Sequence, residues 1–343
     1  MSDTGSRLKR TLIIQPLPGI GDMVWHMPFI KAISEFDGTG PVDILAIKRS
    51  MADQIFASEG YVSNLLWIDD AKGEKGWLDN MLILAKKIRS GNYDRVWVLH
   101  KNYRWAMTAW LAGIPERRGY GLTWQRLFLN RGRYLRNDKQ GLHPIDKAVS
   151  YFKLNGLIKQ ESLPAIRVTN EAASKIEADF CGCPKPWIAF GIGATDPRRQ
   201  WGVENFAGLA ENLLRQHGGT VLLVGGSAEQ GMAGQIKQAM APEYGASAVG
   251  VISRPIPEAS ALFKACSLFV GNDSGMLHIS AAVGTPSIGL FGVKYKRIDT
   301  YRLADERRNI FAVFPSAGSD ETNLSHMHKI SVASVLAKAK QLI

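Results

Sequence analysis

Apolar residues come in short runs bounded by polar turns. Between these runs lie longer stretches in which apolar positions recur every three or four residues. Runs of the first kind fit strands buried on both faces, and the longer spacing fits helices with one buried side. In the first half the pattern predicts strands near 11–15, 42–48, 64–69 and 95–100, and helices near 23–36, 50–58, 76–89, 103–112 and 144–156. In the second half Trp187–Gly193, Thr220–Gly226, Ala248–Ile252, Leu268–Gly271 and Ser287–Gly292 read as strands. Val203–His217, Pro257–Cys266 and a final amphipathic Ile330–Ile343 read as helices, and a short helix follows Ser274 and stops at Gly284 and Pro286. Strands alternating with helices in this way indicate parallel α/β sheets.

A chain of 343 residues exceeds one typical core, so two domains are expected. Pro and Gly cluster from Leu163 and Pro164 to Pro186, where the join is placed. The expected organisation is two Rossmann-like domains with parallel sheets, spanning 1–165 and 166–328 and facing a central cleft. A helix within 329–343 is expected to pack back on the first domain. In such sheets ligands bind at the carboxyl ends of strands, so the loops at those ends carry the candidate chemistry.

Four stretches stand out. In the first loop, Gly19-Ile-Gly21-Asp22 follows a strand and opens a helix; Val24 breaks the dinucleotide fingerprint. Asp22 is either a general base facing a ligand or an N-cap, and His26, one turn on, is a second polar group or a packed histidine. After the Trp187 strand comes Gly191-Ile-Gly193-Ala-Thr195-Asp-Pro-Arg198-Arg199-Gln-Trp201, whose amides and guanidinium groups suit a diphosphate or form an exposed basic loop. After the Thr220 strand, Glu229 follows a Gly-Gly turn and suits ribose hydroxyls or a helix first turn. After the Leu268 strand, Asp273, Ser274 and Gly275 stand at a helix N-terminus, where free amides and the helix dipole favour an anion. The last three loops share one sheet edge and would line one nucleotide site.

Composition narrows the classes. Apolar content of 45% and charged content of 21% are those of a globular protein. No run approaches the ~18 apolar residues of a membrane span, and the polar start before Thr11 does not read as a signal peptide, so a cytoplasmic location is expected. Cys181-Gly-Cys183 is too tight for a metal pair, and no carboxylate cluster suits a divalent ion. Net charge is +11, which favours anionic partners, yet no nucleic-acid motif accompanies it. Much of that charge lies in Lys101–Arg136, with eight cations and one acid, Glu116, interleaved with aromatic residues. This stretch suits an anionic glycolipid or membrane surface, or is a solvated face beside core aromatics.

Together these residues resemble glycosyltransferase family 9, the ADP-heptose:lipopolysaccharide heptosyltransferases. Gly19–Asp22 matches the family's first loop, Gly225–Glu229 its Gly-Gly turn, and Asp273–Pro286 its C-terminal hallmark. The resemblance implies a GT-B fold and an inverting, metal-independent transferase with no cofactor beyond its nucleotide-sugar donor. It implies Asp22 as the base; Gly21, His26, Arg104 and Arg126 are this chain's candidates toward the acceptor. Gly193, Thr195, Arg199, Glu229, Asp273, Ser274, Gly275 and His278 would serve the donor. The substrates implied are ADP-heptose and an anionic glycolipid or core oligosaccharide, met at the inner face of the membrane. The family has Lys-x-Trp-Pro where this chain has Arg199-Gln-Trp-Gly, so another nucleotide sugar stays open as donor. A non-catalytic nucleotide-sugar-binding scaffold is the alternative of another class.

Overall fold

The computed structural model describes residues 8–70, 76–292, 309–315 and 324–343. Two units form, Met1–Pro164 and Ala165–Ile343. In the first, the order is β1 (Thr11–Ile14), α1 (Ile20–Ser34), β2 (Val42–Ala46), α2 (Ala52–Ile55), β3 (Val62–Trp67), α3 (Trp77–Arg89), β4 (Arg95–Val98), α4 (Tyr103–Leu111), β5 (Glu116–Gly119) and α5 (Pro144–Leu154). Among the described residues these strands make a parallel five-stranded sheet, β3-β2-β1-β4-β5. Residue Ile13 of β1 registers with Ile44 on one side and Trp97 on the other.

Alternation along each strand sends side chains to two helical layers. Leu12, Ile14, Val96 and Val98 pack with Leu84 and Ile88 of α3 and with Ala106 and Ala109 of α4. On the opposite face the buried Trp97 ring meets Phe36, Tyr151 and Phe152 at 5.5–6.2 Å. Both faces are covered, which is why these strands read as unbroken apolar runs.

The second unit comprises α6 (Asn170–Asp179), β6 (Trp187–Gly191), α7 (Val203–His217), β7 (Thr220–Gly225), α8 (Gln230–Ala239), α9 (Pro242–Gly245), β8 (Ala248–Ile252), α10 (Ile256–Ala265), β9 (Leu268–Asn272), α11 (Gly275–Ala282), β10 (Ser287–Leu290), β11 (Ile310–Val313) and α12 (Val332–Ala339). Its described sheet is parallel with order β11-β10-β9-β6-β7-β8. In each unit the chain adds strands to one side of its first strand, then returns to the other side. The reversal lies between β1 and β4 in the first unit and between β6 and β9 in the second. A crevice opens at the carboxyl ends of strands at such a reversal.

Several elements differ from the sequence expectation. Strand β5 is Glu-Arg-Arg-Gly, a charged string paired with β4; Arg95 at its side is fully buried and meets Glu116 at 3.0 Å. β11 was not expected either, nor were α6 and α8, each of which buries only two of its ten residues. The C-terminal helix packs within the second unit. Val335 and Ala339 of α12 are buried in the second unit's own core beside α7, because its apolar stripe completes the layer over β10 and β11.

Candidate functional site

The first reversal point is built around Asp22. Gly19 caps α1 in an extended conformation, and Asp22 is the third residue of the helix rather than its cap. Its carboxylate accepts a hydrogen bond from the Gly19 backbone, a contact of capping-box type. A Cβ on Gly19 would lie 2.6 Å from Asp22 Oδ2, so only glycine leaves room for this approach. Burial raises the Asp22 carboxyl above its ordinary value, and the Gly19 amide partly opposes the rise. A carboxylate shifted upward is a stronger base.

Behind it, His26 is fully buried, with Nδ1 2.6 Å from the Asp22 carbonyl oxygen and 3.3 Å from Gln15 Nε2. Burial pushes its pKa down to about 4, so it stays neutral. His26 was expected to face the acceptor. Instead it is sealed under α1, because the helical spacing that aligns it with Asp22 also turns its ring into the core. The Gln15 side chain shapes the same loop, its Oε1 accepting from the Leu17 amide at 2.9 Å.

His100, two residues past β4, stands at the same reversal. Leu99 donates its amide to the carbonyl of Ile14, which ties that strand end to β1. Burial, with Lys101 and Lys147 adding to it, lowers His100 to about 4. Its Nδ1 accepts from the Asn102 amide at 3.1 Å, so Nε2 carries the ring proton and is a hydrogen-bond donor. In the sequence His100 reads as the last residue of a strand, and that strand end is the only signal there; its place beside β1 comes from the strand order.

Two expected acceptor residues differ in character. Arg104 is exposed and lies 4.3 Å over the ring of Trp77. Arg126 spends Nε on the carbonyl of Gly121 at 2.6 Å and Nη2 on that of Leu135 at 2.8 Å. It is a tie between two loop segments, not a group aimed at a ligand. Arg117 plays a similar part, donating to Phe128 and Ile114 carbonyls. Gly21 is in the first turn of α1, partly exposed beside Asp22.

In the second unit the loops after β6, β7 and β9 converge. Arg199 Nη1 meets Asp273 Oδ2 at 3.0 Å. Burial raises the Asp273 carboxyl, and Arg199 holds it back. Glu229 turns its Oε2 to accept from the Gly226 amide at 2.8 Å, and a Cβ on Gly193 would come within 3.0 Å of Glu229 Cδ. Thr195 is exposed on the same loop. Ser274 is the N-cap of α11 in extended conformation, but its side chain makes no cap hydrogen bond and its buried Oγ has no partner. Gly275 begins the helix beside it, and His278 is buried one turn on, behind the loop.

Asn272 holds this arrangement together and was not singled out from sequence. Fully buried at the end of β9, it accepts from the Trp201 amide at 3.1 Å and donates to the Ile192 carbonyl at 2.8 Å. Trp201, expected near a diphosphate, is instead a core anchor, with Nε1 donating to the Ile330 carbonyl at 2.8 Å. The loop bearing Arg199 is thus pinned at both ends. We expect Asn272→Ala to lose both buried bonds and destabilise the protein by about 2–4 kcal/mol. Thermal unfolding checks this, and an unchanged melting temperature would remove Asn272 as the organiser.

Comparison with known proteins places this geometry. Residues 81–316 match glycosyltransferase family 9 (heptosyltransferase). The chain belongs to that family. It is similar to lipopolysaccharide heptosyltransferase 2 of Salmonella typhimurium, 28% identical over 219 residues, which is 61% of this chain and 62% of that protein. The alignment therefore spans about three-fifths of that relative. The E. coli ADP-heptose lps heptosyltransferase II has a similar structure, with TM-score 0.75 at 21% identity over 97% of this chain and 98% of that one. An E. coli heptosyltransferase solved with ADP-2-deoxy-2-fluoro heptose aligns with TM-score 0.69 at 15% identity, over 97% and 99% of the two chains. The fold of this family 9 chain is accordingly GT-B, with two Rossmann-like units.

Proposed function

We propose that this family 9 chain is an inverting heptosyltransferase that moves heptose from ADP-heptose to a hydroxyl of an anionic lipopolysaccharide-core acceptor. The observation that carries the reading is Asp22, a carboxylate held at the reversal point of the first sheet with its pKa raised by burial. In the reaction the acceptor oxygen bonds to the anomeric carbon as the bond from that carbon to the ADP oxygen breaks. Asp22 takes the hydroxyl proton, and ADP leaves with the bonding electron pair. Attack from the face opposite ADP inverts the configuration.

The leaving diphosphate needs countercharge, which this reading assigns to Arg199 and to the first amides of α11 beside Ser274 and Gly275. Asp273 and Glu229 serve hydroxyls of the sugar and ribose, with Gly193 and Thr195 along the same wall. His278 supports the turn from behind. With these groups no divalent ion is invoked. An anionic glycolipid acceptor would bring the enzyme to a membrane surface as a peripheral protein. No helix among the described residues is long and apolar enough to cross a membrane.

Arg199 in place of the lysine noted above keeps a second reading open, transfer from another nucleotide sugar. One experiment separates the two. Purified protein is given ADP-heptose, ADP-glucose or a UDP-sugar, with and without a heptose-deficient core acceptor, in the presence of a chelator. ADP release that requires both ADP-heptose and acceptor is the expected result. Release from another sugar only, or none with any, would overturn the assignment.

A further inference from the structure

Of the ten large apolar side chains exposed among the described residues, seven lie between Trp77 and Leu127. They sit on three elements that pack on one another: α3, α4, and the short 3-10 turn Thr123–Leu127. α3 is apolar on two sides. Met81, Leu84, Ala85 and Ile88 face the core, while Trp77, Leu78 and Leu82 face outward. Leu78 and Leu82 are one turn apart and form an outward row. On the 3-10 turn, Trp124 is 68% and Leu127 69% exposed. Trp110 of α4 is also exposed, its ring 5.9 Å from that of Phe128, the next residue after Leu127.

Cations surround these side chains. Arg104 lies over Trp77, and Lys86 is exposed on α3. Arg131, Arg133 and Arg136 are exposed just beyond the turn. Acids are fewer than cations: Asp79 on α3, Asp94 and Glu116 in one hollow with Arg131, with Glu116 occupied by Arg95 and Arg118, and Asp138 at 3.7 Å from Arg136. Isolated exposed apolar residues are ordinary, but a cluster of Trp and Leu rimmed by an excess of cations is not.

We propose that this face of the first unit, α3, α4 and the Thr123–Leu127 turn, docks on a bilayer surface carrying anionic headgroups. Trp is favoured at the depth of the headgroups, Leu reaches the acyl boundary, and Lys and Arg engage lipid phosphates. The charge decides the occupant, since a patch with more cations than acids complements a negative surface. The inference rests on the glycolipid reading only for why the protein meets a membrane.

The test is flotation of the full chain with phosphatidylcholine vesicles, with and without phosphatidylglycerol, at low and high salt. Expected is binding to the anionic vesicles that weakens with salt, by roughly fivefold for each lysine or arginine whose attraction to the headgroups is screened. The double variants Trp124→Ser/Leu127→Ser and Leu78→Ser/Leu82→Ser should each weaken it by about tenfold. Their melting temperatures and their transfer to a delipidated, water-soluble acceptor should match those of the parent, because these side chains are exposed. Absent binding, equal binding to neutral vesicles, or variants that bind like the parent would overturn the proposal. So would a parent dimer that the variants convert to monomer with vesicle binding unchanged, which would make this a face for a second copy. Binding that persists in a protein unable to transfer heptose would support the face and count only against the proposed activity.

Discussion

Asp22→Asn should lower the transfer rate by a factor of about 10²–10⁴ while ADP binding stays intact. Asparagine keeps an acceptor oxygen for the Gly19 amide, so the first turn of α1 is preserved. What it lacks is basicity. The parent should lose activity as pH falls through the raised pKa of Asp22, above the ordinary 3.8 of an aspartate, because the protonated carboxyl cannot accept the acceptor's proton. The same shift fixes the sign of the stability effect. A folded-state pKa above the unfolded one means that the native state binds the proton more tightly. The stabilisation is present below the unfolded value and is lost as pH rises through the raised value, so the ionised Asp22 burdens the fold at neutral pH. Asp22→Asn should therefore melt at the same or a higher temperature at pH 7, and should lose that advantage in acid. Turnover near the parent's would remove Asp22 as the base. Lost turnover with a sharply lowered melting temperature would mark it as structural.

The contrast between Asp22 and His26 shows how far the sequence could be read. Spacing of four residues put both on one side of α1, which is correct, but spacing does not give depth. His26 is under the helix because its Nδ1 folds back on the Asp22 carbonyl, a contact that any helical histidine could make or not make. The sheet edge was readable because apolar runs marked strand ends, and strand ends carry the loops. The order of strands was not readable, and it is strand order that brings His100 beside β1 and the Asp273 turn beside the Arg199 loop.

Charge is harder to read than apolarity. Arg117, Arg118 and Arg126 lie in a stretch whose composition suits an anionic surface. The structure uses Arg117 and Arg126 to tie loop carbonyls, and Arg118 to pair with Glu116 and cover the Phe36 and Trp97 rings. A guanidinium can serve a ligand or the protein's own backbone, and only its partners distinguish the two. For the same reason Glu-Arg-Arg-Gly did not read as a strand: β5 is stabilised by ion pairs and by pairing with β4 rather than by apolar burial. Asn272 escaped notice because its role consists of two hydrogen bonds to residues 71 and 80 positions away.

Arg199→Ala should weaken ADP binding by roughly tenfold to a hundredfold, the range for loss of a charge-assisted hydrogen bond. The lower part of that range is expected, since the Arg199 side chain is 41% exposed and water screens it. A second effect is specific to this pair. With the guanidinium gone, burial alone acts on Asp273 and its carboxyl rises further, so it holds its proton to higher pH. Affinity for the ADP-sugar, which needs Asp273 as an acceptor for sugar hydroxyls, should then depend on pH over a range where the parent's is flat. Affinity for ADP alone should not acquire this dependence. Arg199→Lys restores the charge as a point without the planar fork, and should recover part of the ADP affinity. Arg198→Ala is the control: Arg198 is exposed and paired with Asp196 at 2.7 Å, so its loss should change ADP affinity little. Titration calorimetry with ADP and the ADP-sugar across pH measures all four proteins. Equal ADP affinity for Arg199→Ala and the parent would show that the guanidinium serves Asp273 and not the diphosphate, leaving the amides of α11 to hold the anion.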